Sequence, residues 1–187
     1  QDLAHRYSNS GLTDAEIADV KRNGKQFYRG KVRDLIIDHD TVRMIHTDRL
    51  TAFDKFITMI PFKGVLLNAA NGYWLKAANA LLDTHLISIA NDRELLVTRT
   101  TPFKVEVVVR AYLAGSMARA YLQGSRDFCG VKLPDGLQNY AKLPEVIITP
   151  TTKAAVFEHD EAISSADLVS RGVLNAEQWN TINGMAL

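Results

Sequence analysis

The 187-residue sequence predicts an α+β fold, and three observations carry that reading. Residues 26–48, "QFYRGKVRDLIIDHDTVRMIHTD", are rich in β-branched and aromatic residues on either side of a polar turn, the pattern of an antiparallel hairpin. Leu67, Ala70, Trp74, Ala77 and Leu81 recur at intervals of three and four, the stripe of an amphipathic helix with its core side marked. Further on, "FKVEVVVR" alternates, with Phe103, Val105, Val107 and Val109 on one face and Lys104, Glu106, Val108 and Arg110 on the other.

Each element has its own local signals. Thr13 with Glu16 three residues on forms a capping box, Leu12 and Ile17 a hydrophobic staple, and Gly24 a stop. In the hairpin, Gly30 permits close backbone approach, and Lys31 and Arg33 are expected to project from one strand face at a spacing of two. That pair suits a polyphosphate or is a plain exposed basic strand; "GKVRD" lacks the Walker loop and its Ser or Thr. Residues 49–64, "RLTAFDKFITMIPFKG", read as a loop. After the alternating strand, "AYLAGSMARAYLQG" predicts a tight turn at Gly115, Ser116 as N-cap and a short helix ended by Gly124. Arg110 and Ser116 either bracket a carboxylate or phosphate, or Ser116 merely caps its helix while Arg110 pairs with Glu106. Pro134-Asp135-Gly136 marks a turn, Val146–Thr149 a short strand, and two helices follow over 165–171 and from Ala176. The intervening "ITPTTKAAVFEHDE" places a lone Lys153 among hydroxyls just past a strand end, where it could hold a phosphate. His159 reads as a surface or hydrogen-bonded residue.

Composition narrows the function classes. Hydrophobic residues make up 47% of the chain, enough for a real core. Lysine and arginine number 22 against 21 acids, so no broad cationic field exists to hold nucleic acid or anionic lipid. One cysteine, Cys129, allows no internal disulfide. No apolar run is long enough to span a membrane, and the cytoplasm is the expected compartment. Zinc-ligand spacing, a Gly-x-Ser-x-Gly elbow and a Cys-x-x-Cys pair are all missing from the sequence. The chain opens on Gln1 and stops at "NTINGMAL" inside a helical pattern, which leads to the expectation that residues are missing at that end. Oligomeric state is not readable.

Six blocks in order carry a resemblance: "YRGKVRDL" (28–35), "TDRLTAFD" (47–54), "IPFKGVLLN" (60–68), "VEVVVRAYLAGS" (105–116), "CGVKLPDGL" (129–137) and "KLPEVIITPTTKAAVFEHDEAIS" (142–164). Together they resemble the phosphoribosylaminoimidazole-succinocarboxamide synthase, or SAICAR synthetase, family. The resemblance implies a two-lobed α+β fold related to ATP-grasp enzymes and kinases, with ATP in the cleft between lobes. On that basis residues 1–24 form a helical lead-in, 25–100 an N-terminal lobe with a phosphate-covering hairpin, and 101–187 the first part of a larger C-terminal lobe. It also implies an ATP- and Mg2+-dependent ligase of purine biosynthesis. L-aspartate would be joined to the carboxylate of carboxyaminoimidazole ribonucleotide (CAIR), with no nucleic-acid or membrane partner.

Carried over residue by residue, Gly30, Lys31, Val32 and Arg33 resemble the ATP-covering hairpin, and Lys153 the catalytic lysine that reaches ATP or the transferring phosphoryl. Arg110 and Ser116 are similar to positions that bind CAIR or aspartate; Asp54 and Lys63 sit in blocks that line the same cleft. Glu106 is expected to face the cleft as a further substrate-binding residue and to orient Arg110. Asp160 and Glu161 are possible metal-site acids, while the family's main magnesium-binding acids belong to an Asp-x-Lys-x-Glu-x-Gly block expected beyond Leu187. Thr51 stands where serine is usual, and Met117 at a position often held by a bulkier residue or glycine. The competing readings are a non-catalytic nucleotide-binding module of the same family and a small-molecule kinase. The kinase would need a catalytic-loop aspartate with a neighbouring asparagine, a pairing not found in the sequence.

Overall fold

A computed structural model describes residues 11–52, 55–153 and 161–187. The chain divides into two compact units, the first ending at Thr101 and the second beginning at Pro102.

Among the described residues the first unit opens with α1 (Asp14–Arg22), capped as the sequence dictates. The Thr13 N–H donates to Glu16 Oε2 at 2.8 Å, and Glu16 N–H returns a bond to Thr13 Oγ1 at 3.3 Å. Gly24 adopts a φ of +74°, which lets Gly24 and Lys25 N–H close on the carbonyls of Lys21 and Val20. Five antiparallel strands follow, β1 (Gln26–Arg29), β2 (Arg33–Ile37), β3 (Thr41–His46), β6 (Leu86–Asn91) and β7 (Glu94–Thr98), in the order β1-β2-β3-β7-β6. Ile36, Ile45, Leu95 and Val97 form its buried apolar side chains.

Residues 26–38 therefore hold two strands where one was expected. Gly30 N–H donates to Arg33 O at 2.8 Å, turning the chain at residues 30–32 and pairing Arg29 with Asp34. A Cβ on Gly30 would lie 2.9 Å from that same carbonyl, so the turn admits no side chain there. Lys31 consequently sits in the turn and Arg33 opens β2, and they do not share a strand face.

The expected loop at 49–64 contains a second ladder, β4 (Arg49–Ala52) with β5 (Lys55–Met59). Leu50, Thr51, Phe56, Ile57 and Thr58 favour extended backbone, but neither face is buried, so no alternation advertised the strands.

Helix α2 (Lys63–Ala78) lies where the periodicity predicts, with the opposite face inward. Trp74 is 68% exposed, Leu67 and Ala70 are exposed, and Leu81 falls beyond the helix end. Gly64, Asn68 and Gly72 are the buried residues. The reason is close approach: a Cβ on Gly64 would come 2.5 Å from His46 O, and one on Gly72 2.7 Å from Ile89 Cδ1. The helix backbone comes against the sheet at both glycines, and between them Asn68 Nδ2 donates to Asn91 O of β6 at 2.9 Å.

In the second unit, β8 (Val105–Tyr112) pairs antiparallel with β11 (Lys142–Thr152). β11 is far longer than the expected Val146–Thr149 segment and runs through Pro150. Since β8 flanks it on one side only, the missing proline N–H is tolerated, and Pro150 O accepts from Ile163 N–H at 3.1 Å. Helix α3 (Gly115–Leu122) starts from Ala114 as N-cap, not Ser116, because Ala114 is the last extended residue. The short ladder of β9 (Asp127–Phe128) and β10 (Val131–Lys132) was not foreseen. The turn at Pro134-Asp135-Gly136 is held by Tyr121, whose hydroxyl donates to Pro134 O at 2.7 Å. Helices α4 (Ser165–Ser170) and α5 (Ala176–Ala186) fall as expected.

Adjacent residues of β11 point to opposite faces. Ile147 packs with Leu113, Met117, Tyr121, Leu133 and Leu143, while Ile148 packs with Ile163, Leu168, Leu174 and Trp179. One strand thus walls two cores.

Candidate functional site

The first unit gathers cations around the Gly30–Val32 turn. Arg49, opening β4, donates from Nη2 to Gly30 O at 3.0 Å and from Nε to Lys31 O at 3.3 Å. Thr47 Oγ1 donates to Val32 O at 2.8 Å. All three turn carbonyls are thereby bound by the protein. The described peptides are trans, so the N–H groups of Lys31 and Val32 point away from the Arg49 side, an edge suited to anions. Arg49 is itself anchored by the buried Asp34, Nη2 to Oδ1 at 2.6 Å, and the other Asp34 oxygen accepts Leu12 N–H at 3.2 Å. Lys63 Nζ donates to Arg49 O at 2.9 Å, which brings it to the same neighbourhood. Arg33 Nη1 lies 3.2 Å from Met44 Sδ. Asp54 lies outside the described residues.

Behind the turn, Asp48 is buried and forked by Arg93 at 2.9 and 3.0 Å, and it accepts Gly64 N–H at 2.8 Å. His46 is 3% exposed, and its Nδ1 has no hydrogen-bond partner. Burial above all, then the nearby Arg33 charge, holds its imidazole below the usual histidine range.

In the second unit, Arg110 donates from Nε to Thr149 Oγ1 at 2.9 Å, from Nη2 to Ser116 Oγ at 3.3 Å and from Nη1 to Ala114 O at 3.4 Å. Its guanidinium carbon stands 5.7 Å from the Phe128 ring centroid. Ser116 has turned to Arg110 instead of capping α3.

Glu106 does not orient Arg110. Four residues along a strand separate them by about 13 Å, beyond side-chain contact. Glu106 instead pairs across the ladder with Lys153, Nζ to Oε1 at 2.8 Å, because Thr151 is its register partner. Lys153 follows β11 directly, and its N–H donates to Lys104 O at 3.0 Å. Glu161 returns beside it: Thr152 N–H donates to Glu161 O at 2.9 Å, and Arg171 Nη1 to Glu161 Oε2 at 3.3 Å. Asp160, with His159, lies outside the described residues.

Sequence reasoning did not single out Arg49, Asp34 or Thr149. Arg49 stood inside a recognised block, which was its one available signal; Asp34 and Thr149 read as ordinary strand residues.

The described residues thus make an α+β chain with a carbonyl-tethered basic turn in one unit and an arginine and a lysine fixed on a strand ladder in the other, cationic groups of the chemistry that suits anions. The sequence profile described as SAICAR synthetase matches residues 26–187, and the chain belongs to that family. A phosphoribosylaminoimidazole-succinocarboxamide synthase of Cytophaga hutchinsonii is 43% identical over 154 residues, covering 82% of this chain and 49% of its own length. The SAICAR synthase of Saccharomyces cerevisiae, solved in complex with SAICAR, superposes with a TM-score of 0.79 at 29% identity, over 94% of this chain and 63% of that one. A type-2 SAICAR synthetase solved with ADP gives a TM-score of 0.68 at 29% identity, over 87% and 64%. The chain spans about half the length of the curated relatives it matches.

Proposed function

We propose that this chain acts in the ATP-dependent joining of L-aspartate to CAIR, giving SAICAR, ADP and phosphate. A CAIR carboxylate oxygen attacks the γ-phosphorus as the bond to the β-phosphate oxygen breaks, releasing ADP. The aspartate amine, having lost a proton, then attacks the acyl carbon, and the C–O bond breaks to release phosphate. Both steps concentrate negative charge, so fixed cations are what the protein must supply.

Gly30, Lys31, Val32 and Arg33 cover the ATP phosphates with the outward N–H edge and the Lys31 charge. Lys153 reaches the transferring phosphoryl group. Its pairing with Glu106 is half exposed on both sides, the kind of ion pair worth only about 0–1 kcal/mol, so a phosphate can replace the carboxylate at little cost. Arg110, forked between Thr149 and Ser116, binds a carboxylate of CAIR or aspartate. Lys63 and Asp54 serve the same substrates. The observation that carries this reading is the pairing of Arg110 and Lys153 with fixed partners along one strand ladder.

Mg2+, when bound, would neutralise phosphate charge, held mainly by the substrate phosphates with one or two carboxylates. No group of three or more His, Cys, Asp or Glu assembles among the described residues, and Glu161 is paired with Arg171. Cytoplasmic location is part of the same reading; among the described residues no helix is long and apolar enough to cross a membrane.

The test is ADP release by this chain with ATP, Mg2+, CAIR and aspartate, each omitted in turn. Release that needs all four is expected of the ligase. Release indifferent to aspartate overturns the ligase, and ATP binding without turnover favours the nucleotide-binding module.

A further inference from the structure

We infer that Arg49 is a positioning residue that holds the Gly30–Val32 turn with its amide edge toward the nucleotide phosphates; this rests on the reading of that turn as a phosphate cover. One guanidinium serves three acceptors: Gly30 O at 3.0 Å, Lys31 O at 3.3 Å and Asp34 Oδ1 at 2.6 Å. Asp34 is fully buried and the Arg49 side chain only 16% exposed, so neither partner is cheaply released to water.

The geometry uses what only arginine offers. A planar fork satisfies two successive carbonyls and a carboxylate at once, whereas a lysine ammonium is a compact point charge on a flexible stem. With both carbonyls drawn to Arg49, the following N–H groups face the other way in trans peptides. A Walker loop presents such amides through its own winding; here a distant arginine imposes the orientation on a three-residue turn. Arg49 also offers its own carbonyl to Lys63 Nζ at 2.9 Å, so the same residue ties the turn to the start of α2.

The test uses Arg49→Lys in the 187-residue chain, with thermal unfolding recorded to establish folding. Arg49→Gln, whose amide can still donate to Asp34, is the second variant. Two readouts are needed. Amide hydrogen exchange over residues 30–33 without ligand reports the tether and is expected to rise about tenfold in the variants. Affinities for ATP and for adenosine report its purpose: ATP binding should weaken about tenfold while adenosine binding holds. A merely structural role would weaken both ligands together and overturn the inference. Unchanged exchange, or unchanged ATP affinity against a wild type that binds ATP, would overturn the role of Arg49 alone. A wild-type chain that binds adenosine and ATP equally, or neither, would overturn the phosphate-cover reading, and the positioning role with it.

Discussion

Replacing Asp48 by asparagine tests how the first unit is held together. Asp48 is buried, accepts both Arg93 guanidinium nitrogens and also takes Gly64 N–H, one of the donors that α2 leaves unsatisfied at its start. Phe62, the N-cap, is in the left-handed region at a φ of 67° and provides no side-chain cap, so the remote carboxylate does that work. Asparagine keeps the shape but turns one acceptor into an NH2 group that must face a donor, in either amide orientation. Breaking one side of a buried pair costs about 3–5 kcal/mol, and the oxygen that remains recovers part of it, leaving about 2–4 kcal/mol. At about 4–8 °C per kcal/mol for a unit of roughly 100 residues, the melting temperature should fall by at least about 8 °C. Urea unfolding followed by far-ultraviolet circular dichroism measures the loss directly. A change below about 1 kcal/mol with an unaltered denaturant slope would refute the claim that this carboxylate locks helix to sheet.

Three further outcomes are expected. Gly30→Ala forces a Cβ to 2.9 Å from Arg33 O and should cost about 1–3 kcal/mol with weaker ATP binding, checked by urea melts and ATP titration. Lys153→Ala should lower kcat of the ligase at least about tenfold, whereas Glu106→Gln should change it little; equal losses in steady-state assays would tie the two residues into one catalytic unit. His46 is held below its ordinary value of 6.5, so its stabilising contribution is complete above that pH and falls as pH drops from there toward the lower folded value. The difference in urea stability between wild type and His46→Gln, followed from pH 8 to about pH 5, isolates this residue from the other histidines, and a flat difference would contradict it.

What could be read in the sequence follows the range of the interactions. The Thr13–Glu16 cap and the Gly24 stop are local and were legible as such. Helix α2 was legible in place but not in orientation, because periodicity assumes that large apolar side chains seek the core. Gly64 and Gly72 instead let the backbone approach the sheet, a contact with no hydrophobic signature. Arg110 was legible as a strand-end guanidinium, but its partner Thr149 lies 39 residues on, and nothing local says which hydroxyl will arrive opposite. Glu106 went to Lys153, 47 residues away, for the same reason: register, not spacing, chooses partners. The second ladder around Leu50 and Phe56 was missed because it covers no core.

The two faces of β11 act as a double lock on alignment. A slip of one residue against β8 would send Ile147 into the company meant for Ile148, and the reverse, so two separate cores would be mispacked by one error. The same slip would carry Thr149 off Arg110 and Lys153 off Glu106. Accuracy at the polar edge of the strand is thus enforced from its apolar neighbours.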